Sequence, residues 1–171
     1  MSMPVTLERT TRVPLRRKAV AKLAVGVARA LVPLSPMRLR TALEFLSRGA
    51  RPATAAGTLS ARQAVVASST RCAGQRCLER SVAVALLCRA GGTWPQWCTG
   101  VRVDPFRAHA WVEVDGVAVD EADDMSLYRK TITVLPRHPV STATTRTPTR
   151  RLVRDPDADP DPKNDITPPC T

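Results

Sequence analysis

Arg71-Cys72-Ala73-Gly74-Gln75-Arg76-Cys77-Leu78-Glu79-Arg80-Ser81 runs directly into an apolar stretch over residues 82–88, and Gly91-Gly92 stops it. Residues 78–87 are mostly good helix formers, and the glycine pair suits a helix C-terminus, so this stretch predicts a helix with Cys77 in its first turn. Unpaired backbone N–H groups and the positive end of the helix dipole favour a thiolate at that place. Arg76 and Arg80 add positive charge, which also lowers a thiol pKa. The same N–H groups suit the oxyanion of an acyl transfer. Cys88, inside the apolar run, reads instead as a buried structural thiol, the common condition of free cysteines.

A candidate base follows in Phe106-Arg107-Ala108-His109-Ala110-Trp111-Val112-Glu113-Val114, where alternation puts His109, Trp111 and Glu113 on one strand face. Asp115-Gly116 is a strong hairpin signal, and Val117-Ala118-Val119-Asp120-Glu121 returns as the partner strand. The register decides which acid meets the histidine. A two-residue turn pairs Trp111 with Asp120 and leaves Asp120 diagonal to His109. A three-residue loop with Gly116 as a bulge sets Glu121 opposite His109. Both acids therefore stay candidates for the group that orients the imidazole in a Cys-His-acid site. The competing reading is a solvated strand end.

Outward from this stretch, 171 residues suit one domain with tails: a flexible segment over 1–14, a domain over 15–136 and a disordered tail over 137–171. The domain divides into a helical part, 15–70, and a catalytic part, 71–136. One helix is expected over 17–31, with Ala19, Val20, Leu23, Val27 and Leu31 as its core stripe. Ser35-Pro36 opens a second, ending near Gly49, with Met37, Leu39, Leu43 and Leu46 buried. After a short loop with Pro52 and Gly57, Ser60-Ala61-Arg62-Gln63 reads as a capping box opening a third, through Ser68. Residues 93–103 read as a turn and strand whose Trp94 and Trp97 either wall a peptide groove or fill the core, and 131–135 as a last strand. Beyond Arg137 the composition turns to Thr, Pro, Arg and Asp, which cannot bury enough apolar area to order itself.

The net charge of +11 is concentrated at the start: residues 1–51 hold eleven Lys or Arg against Glu8 and Glu44. Such a region suits an acidic partner. The chain shows no DNA or RNA motif, has one Tyr and two Phe for stacking, and spreads its cations over two helices, so a peptide or protein partner is expected rather than nucleic acid. The segment 23–34 is too short to span a bilayer, and no stable membrane insertion is expected. Five cysteines without an apolar leader in residues 1–10 point to reduced thiols in a cytoplasm. Cysteine spacings lack the close pairs of zinc sites and no Gly-rich phosphate loop is present, so neither metal nor other cofactor is expected.

The blocks at 71–81 and 106–113, with Leu86-Leu87-Cys88-Arg89 and Gly92-Thr93-Trp94-Pro95, resemble the transglutaminase-like leader peptidases of lasso peptide biosynthesis. These are stand-alone maturation proteases related to the C-terminal part of the microcin J25 processing protein. The resemblance spans about 15–135 and is densest over 71–121. It implies an α+β fold, a papain/transglutaminase-like core with an N-terminal helical region packed on a small antiparallel sheet. It further implies a cysteine peptidase that removes the leader from a precursor peptide. A separate leader-recognition protein presents that precursor, and an asparagine-synthetase-like, ATP-dependent macrolactam cyclase takes the freed amine. Carried onto this chain, Cys77 matches the nucleophile and His109 the general base. The family acid lies about a dozen residues past the histidine, at Glu121, but is an aspartate there, and Asp120 stands one place early. Two other classes share these residues: a transglutaminase-type acyltransferase with an amine acceptor, and a non-catalytic scaffold in which Cys77 is structural.

Overall fold

The structure is a computed structural model that describes residues 14–69, 72 and 76–137. The readings of a flexible start and a disordered tail, Cys170 included, fall almost wholly outside those residues. Within them the chain is α+β: three helices, α1 (Leu15–Leu31), α2 (Pro36–Leu46) and α3 (Ala55–Ser68), precede a fourth, α4 (Cys77–Ala90). Most of the strands come after α4. β3 (Gln96–Arg102), β4 (Arg107–Val114), β5 (Val117–Ala118) and β6 (Arg129–Val134) form an antiparallel sheet in the order β5-β4-β3-β6.

The central element is α4. Its residues 79–85 are buried without interruption, which a helix tolerates only when packed on all sides. α1 and α3 cover it on one side and β4 on the other. Valines, alanines and Leu87 of α4 join Trp97, Val112 and Val134 of the sheet in one core. Cys77, the first residue of α4, is thereby fixed against the sheet by the rest of the helix.

Two expectations about the helical part are overturned. The core face of α1 is Ala21, Ala24, Val25 and Ala28, whereas Leu23 is 69 % exposed and Val20 and Val27 are 41 % exposed. Small side chains let α1 approach α3 and α4 closely, so close packing takes precedence over the larger apolar stripe. Likewise Leu39 and Leu43 of α2 are buried while Met37 lies outside. α3 starts earlier than the Ser60 pattern suggests: Thr54 caps it by accepting from the Gly57 N–H at 3.2 Å. A Cβ at position 57 would sit 3.0 Å from that cap oxygen, so glycine here protects the cap.

The stretch around Pro52, expected as loop, forms a short strand β1 (Arg51–Pro52) in parallel with β2 (Thr93–Trp94). Trp94 is fully buried and its indole donates to the Val134 carbonyl, which makes it a core residue.

The hairpin after β4 decides the position of the acids. Val114 pairs with Val117 and Glu113 with Ala118, so the turn is the two-residue Asp115-Gly116 form. Both turn residues have positive φ, 52° and 80°, as a type I′ turn requires. The ladder continues to Val119, whose N–H reaches the Val112 carbonyl at 3.0 Å. Asp120 then leaves it with a left-handed φ of 55°, a conformation that aspartate tolerates better than most residues.

Candidate active site

The break at Asp120 brings Glu121 to the histidine. Glu121 Oε2 lies 2.9 Å from His109 Nε2, and the two side chains are 7 % and 8 % exposed. The turn thus takes the two-residue form, and yet the acid that form was expected to deliver is not the one at the imidazole. Asp120 turns to Arg62, with Oδ2 at 2.9 Å from Nη1. A strand continued without the left-handed residue would have kept the alternation on which the expectation rested.

With Nε2 engaged by Glu121, the other ring nitrogen, Nδ1, remains for Cys77, which lines the same groove as His109 and shifts its titration as His109 shifts that of the thiol. Burial by itself pushes the half-buried Cys77 thiol up. The hydrogen bond to His109, another from the Ala110 backbone N–H, and the positive charges of His109 and Arg80 outweigh it and hold the thiol below its ordinary value. His109 moves the other way. Burial disfavours its charged form, but its bonds to Cys77 and Glu121, with the charges behind them, lift it from 6.5 to about 9. A thiol lowered and an imidazole raised in contact favour a thiolate–imidazolium pair at neutral pH.

The other thiols lie in the opposite direction. Burial pushes Cys72, Cys98 and Cys88 up, Cys88 to about 11. Of the two arginines expected to act on Cys77, Arg80 does so. Arg76 pairs instead with Glu79, 3.4 Å away. The N-cap position of α4, Arg76, makes no side-chain capping bond, which leaves the first backbone N–H groups of the helix to other acceptors.

Residues 21–134, more than half of the chain, match the description Transglutaminase-like superfamily. The chain belongs to the transglutaminase-like superfamily. That superfamily includes both cysteine peptidases and acyltransferases. No curated protein and no solved structure matches the chain.

The transglutaminase-like domain supports its histidine with side chains that the sequence reading did not single out for that role. Arg62 of α3, 3 % exposed, lies 3.8 Å from Glu121 through Nε, and Arg80 lies 3.6 Å from it through Nη2. An arginine among Ala61, Ala64, Val65 and Val66 on a core-facing helix was the available signal for Arg62. Trp111 stacks on the imidazole at 6.0 Å between centroids, and Tyr128 tilts against it at 5.7 Å. Trp111 is itself fixed: its indole donates to Glu113 Oε1 at 2.8 Å, and Gln96 and Lys130 donate to Oε2 of the same buried carboxylate.

Gly100, paired with His109 across the sheet, completes this support. A Cβ there would stand 2.7 Å from the Arg129 carbonyl oxygen and 2.8 Å from Trp111 Cη2, so only glycine lets the indole lie where it does. Beside Cys77 and His109 opens a groove of about 440 Å³, lined by α4, β3, β4, β6, α2 and the connection between α1 and α2. Trp97 contributes to that lining while its indole donates to Ser81 Oγ. It lies in the core and at the same time lines the groove. Among the described residues no group of three or more His, Cys, Asp or Glu is placed to hold a metal ion, and no helix is long and apolar enough to cross a membrane.

Proposed function

We propose that the protein is a cysteine peptidase that removes the leader from a lasso peptide precursor. Cys77 is the nucleophile, His109 the general base and Glu121 the acid that orients and charges the imidazole. The observation that carries this chemistry is that Glu121 holds Nε2 of a buried His109 at 2.9 Å while His109 and Cys77 line one groove, each shifting the other's titration. The narrower assignment to lasso precursors is supported by the sequence blocks around Cys77 and His109 that resemble those leader peptidases.

The thiolate attacks the carbonyl at the leader–core junction, and the oxyanion is met by the uncapped N–H groups at the start of α4. The C–N bond then breaks as the imidazolium passes its proton to the departing amine, the new N-terminus of the core peptide. Water attacks the resulting thioester, His109 takes its proton, and the leader leaves as a carboxylic acid while Cys77 is restored. The released amine is the substrate an ATP-dependent macrolactam cyclase requires, and a leader-recognition protein presents the precursor. The four described cysteines are free thiols, which suits work in the cytoplasm.

Incubating the purified protein with the precursor and the leader-recognition protein tests the reading by mass spectrometry. Two fragments whose masses sum to precursor plus water are expected, and Cys77→Ala abolishes them. A product joined to an added primary amine identifies an acyltransferase instead. An unmodified precursor, with Cys77 alkylated no faster than the buried thiols, leaves the scaffold reading.

A further inference from the structure

The groove beside Cys77 has a one-sided chemistry. Its wall is largely apolar, with Leu34, Leu39, Trp97, Val101, Ala108 and Ile132 among the residues that form it, and apart from Cys77 and His109 none of the described residues lining it is ionisable. Its two hydroxyls are occupied with each other. Thr131 Oγ1 donates to the Thr99 carbonyl at 3.2 Å, and the Thr99 and Thr131 hydroxyls lie 3.0 Å apart. A charged or amide side chain entering here would lose its water without gaining a partner. In a chain of net charge +11, this neutral and apolar surface lies directly beside the nucleophile. Its volume of about 440 Å³ is within the range of sites that enclose an organic group of some size.

We infer that this groove is a specificity subsite that receives a large apolar side chain, aliphatic or aromatic, from the acyl-donor segment of the substrate. The inference rests on the peptidase reading and adds to it the chemical class of substrate side chain. The acyl segment is the one held covalently on Cys77, and the groove begins at Cys77 itself. Burying an isobutyl or benzyl group against these walls favours it over hydrogen by about 10- to 100-fold. Among the described residues, no cation of the basic N-terminal region lines the groove.

The test uses the full-length protein and two kinds of thiol reagent. Iodoacetamide has no side chain and reports the reactivity of Cys77 alone. Peptidyl chloromethyl ketones carrying Gly, Leu, Phe, Asp or Lys next to the reactive carbonyl, or one residue before it, report the groove. Each rate is divided by the iodoacetamide rate of the same protein. At one of those two positions Leu or Phe is expected to react at least ~10-fold faster than Gly, and Asp and Lys no faster than Gly.

Ala108 lies exposed at the groove's edge, where a larger residue is accommodated without repacking the core. Ala108→Trp is expected to collapse the normalised Leu and Phe preference toward one, and Ala108→Asp to reverse it in favour of Lys. Circular dichroism and a thermal melt check that both variants fold. A reactive Cys77 with no side-chain preference, or with a preference for charge, overturns the inference and leaves the peptidase reading standing. A Cys77 no faster than Cys72 or Cys98 with iodoacetamide overturns the peptidase reading, and the inference with it.

Discussion

Glu121→Gln keeps the length of the side chain and one acceptor oxygen but removes the charge that faces His109. In the native site that carboxylate lies 2.9 Å from Nε2 with both side chains nearly excluded from water. The rise of His109 from 6.5 to about 9 corresponds to about 3 kcal/mol, at ~1.4 kcal/mol per pH unit. Cys77 contributes part of it, so loss of the Glu121 charge removes on the order of 2 kcal/mol, about 30-fold in the population of the thiolate–imidazolium pair. Arg62 and Arg80, whose charges Glu121 now offsets, then press against the imidazolium as well, so the figure is a lower bound.

The assay for Glu121→Gln is the rate of iodoacetamide alkylation of Cys77 followed across pH, together with kcat/KM on the precursor. The native curve is expected to rise at a pH below that of an ordinary thiol. The variant's curve should rise about 1.5 pH units later or more, with kcat/KM at pH 7 down by at least ~30-fold. Stability gives an independent check. The pKa of His109 is raised by folding, so its contribution is fully present below pH 6.5 and disappears as pH climbs through about 9. The urea-denaturation penalty of Glu121→Gln should therefore be larger at pH 6 than at pH 10. Superimposable alkylation curves and equal penalties at the two pH values would refute the role given to this carboxylate.

Asp120→Asn should change kcat/KM less than ~10-fold, because its half-exposed carboxylate meets Arg62 and such pairs contribute about 1 kcal/mol or less. Kinetics that rank Asp120→Asn below Glu121→Gln would reverse the assignment of the acid. Gly100→Ala forces a Cβ against the Arg129 carbonyl and the Trp111 ring. It should cost about 1–3 kcal/mol in urea denaturation and lower kcat more than it raises KM, since Trp111 is the surface on which His109 rests. Competitive labelling of the native protein at pH 7 should modify Cys77 first and Cys88 last, the order their shifted pKa values dictate. Thr54→Ala removes the cap of α3 and should lower stability by about 1 kcal/mol, read from the denaturation midpoint, without moving the Cys77 alkylation curve.

Several features were legible before any coordinates because each is written in neighbouring residues. The Cys77 helix shows in its helix formers and glycine stop, the His109 strand in its alternation, and the hairpin in Asp115-Gly116. Ser35-Pro36 likewise marks the start of α2. The errors are of a different kind. Hydrophobic size pointed to Leu23 and Val27 as the core face of α1, and the alanine face was chosen because another helix had to come close. The capping pattern at Ser60 sets the start of α3 too late, because Gly57 reads as a loop residue in the sequence while in the fold it leaves room for the Thr54 cap.

The linear chain was sufficient to name a thiol, an imidazole and two adjacent acids, because residue chemistry and local periodicity belong to short segments. It could not choose between Asp120 and Glu121. That choice depends on one left-handed residue after the hairpin and on Arg62, 58 positions upstream, which draws Asp120 away. It also could not reveal that Gly100, Trp111 and Tyr128 together set the plane of His109, or that six elements enclose an apolar groove beside Cys77. Those are properties of distances between segments far apart in the chain, and only packing determines such distances.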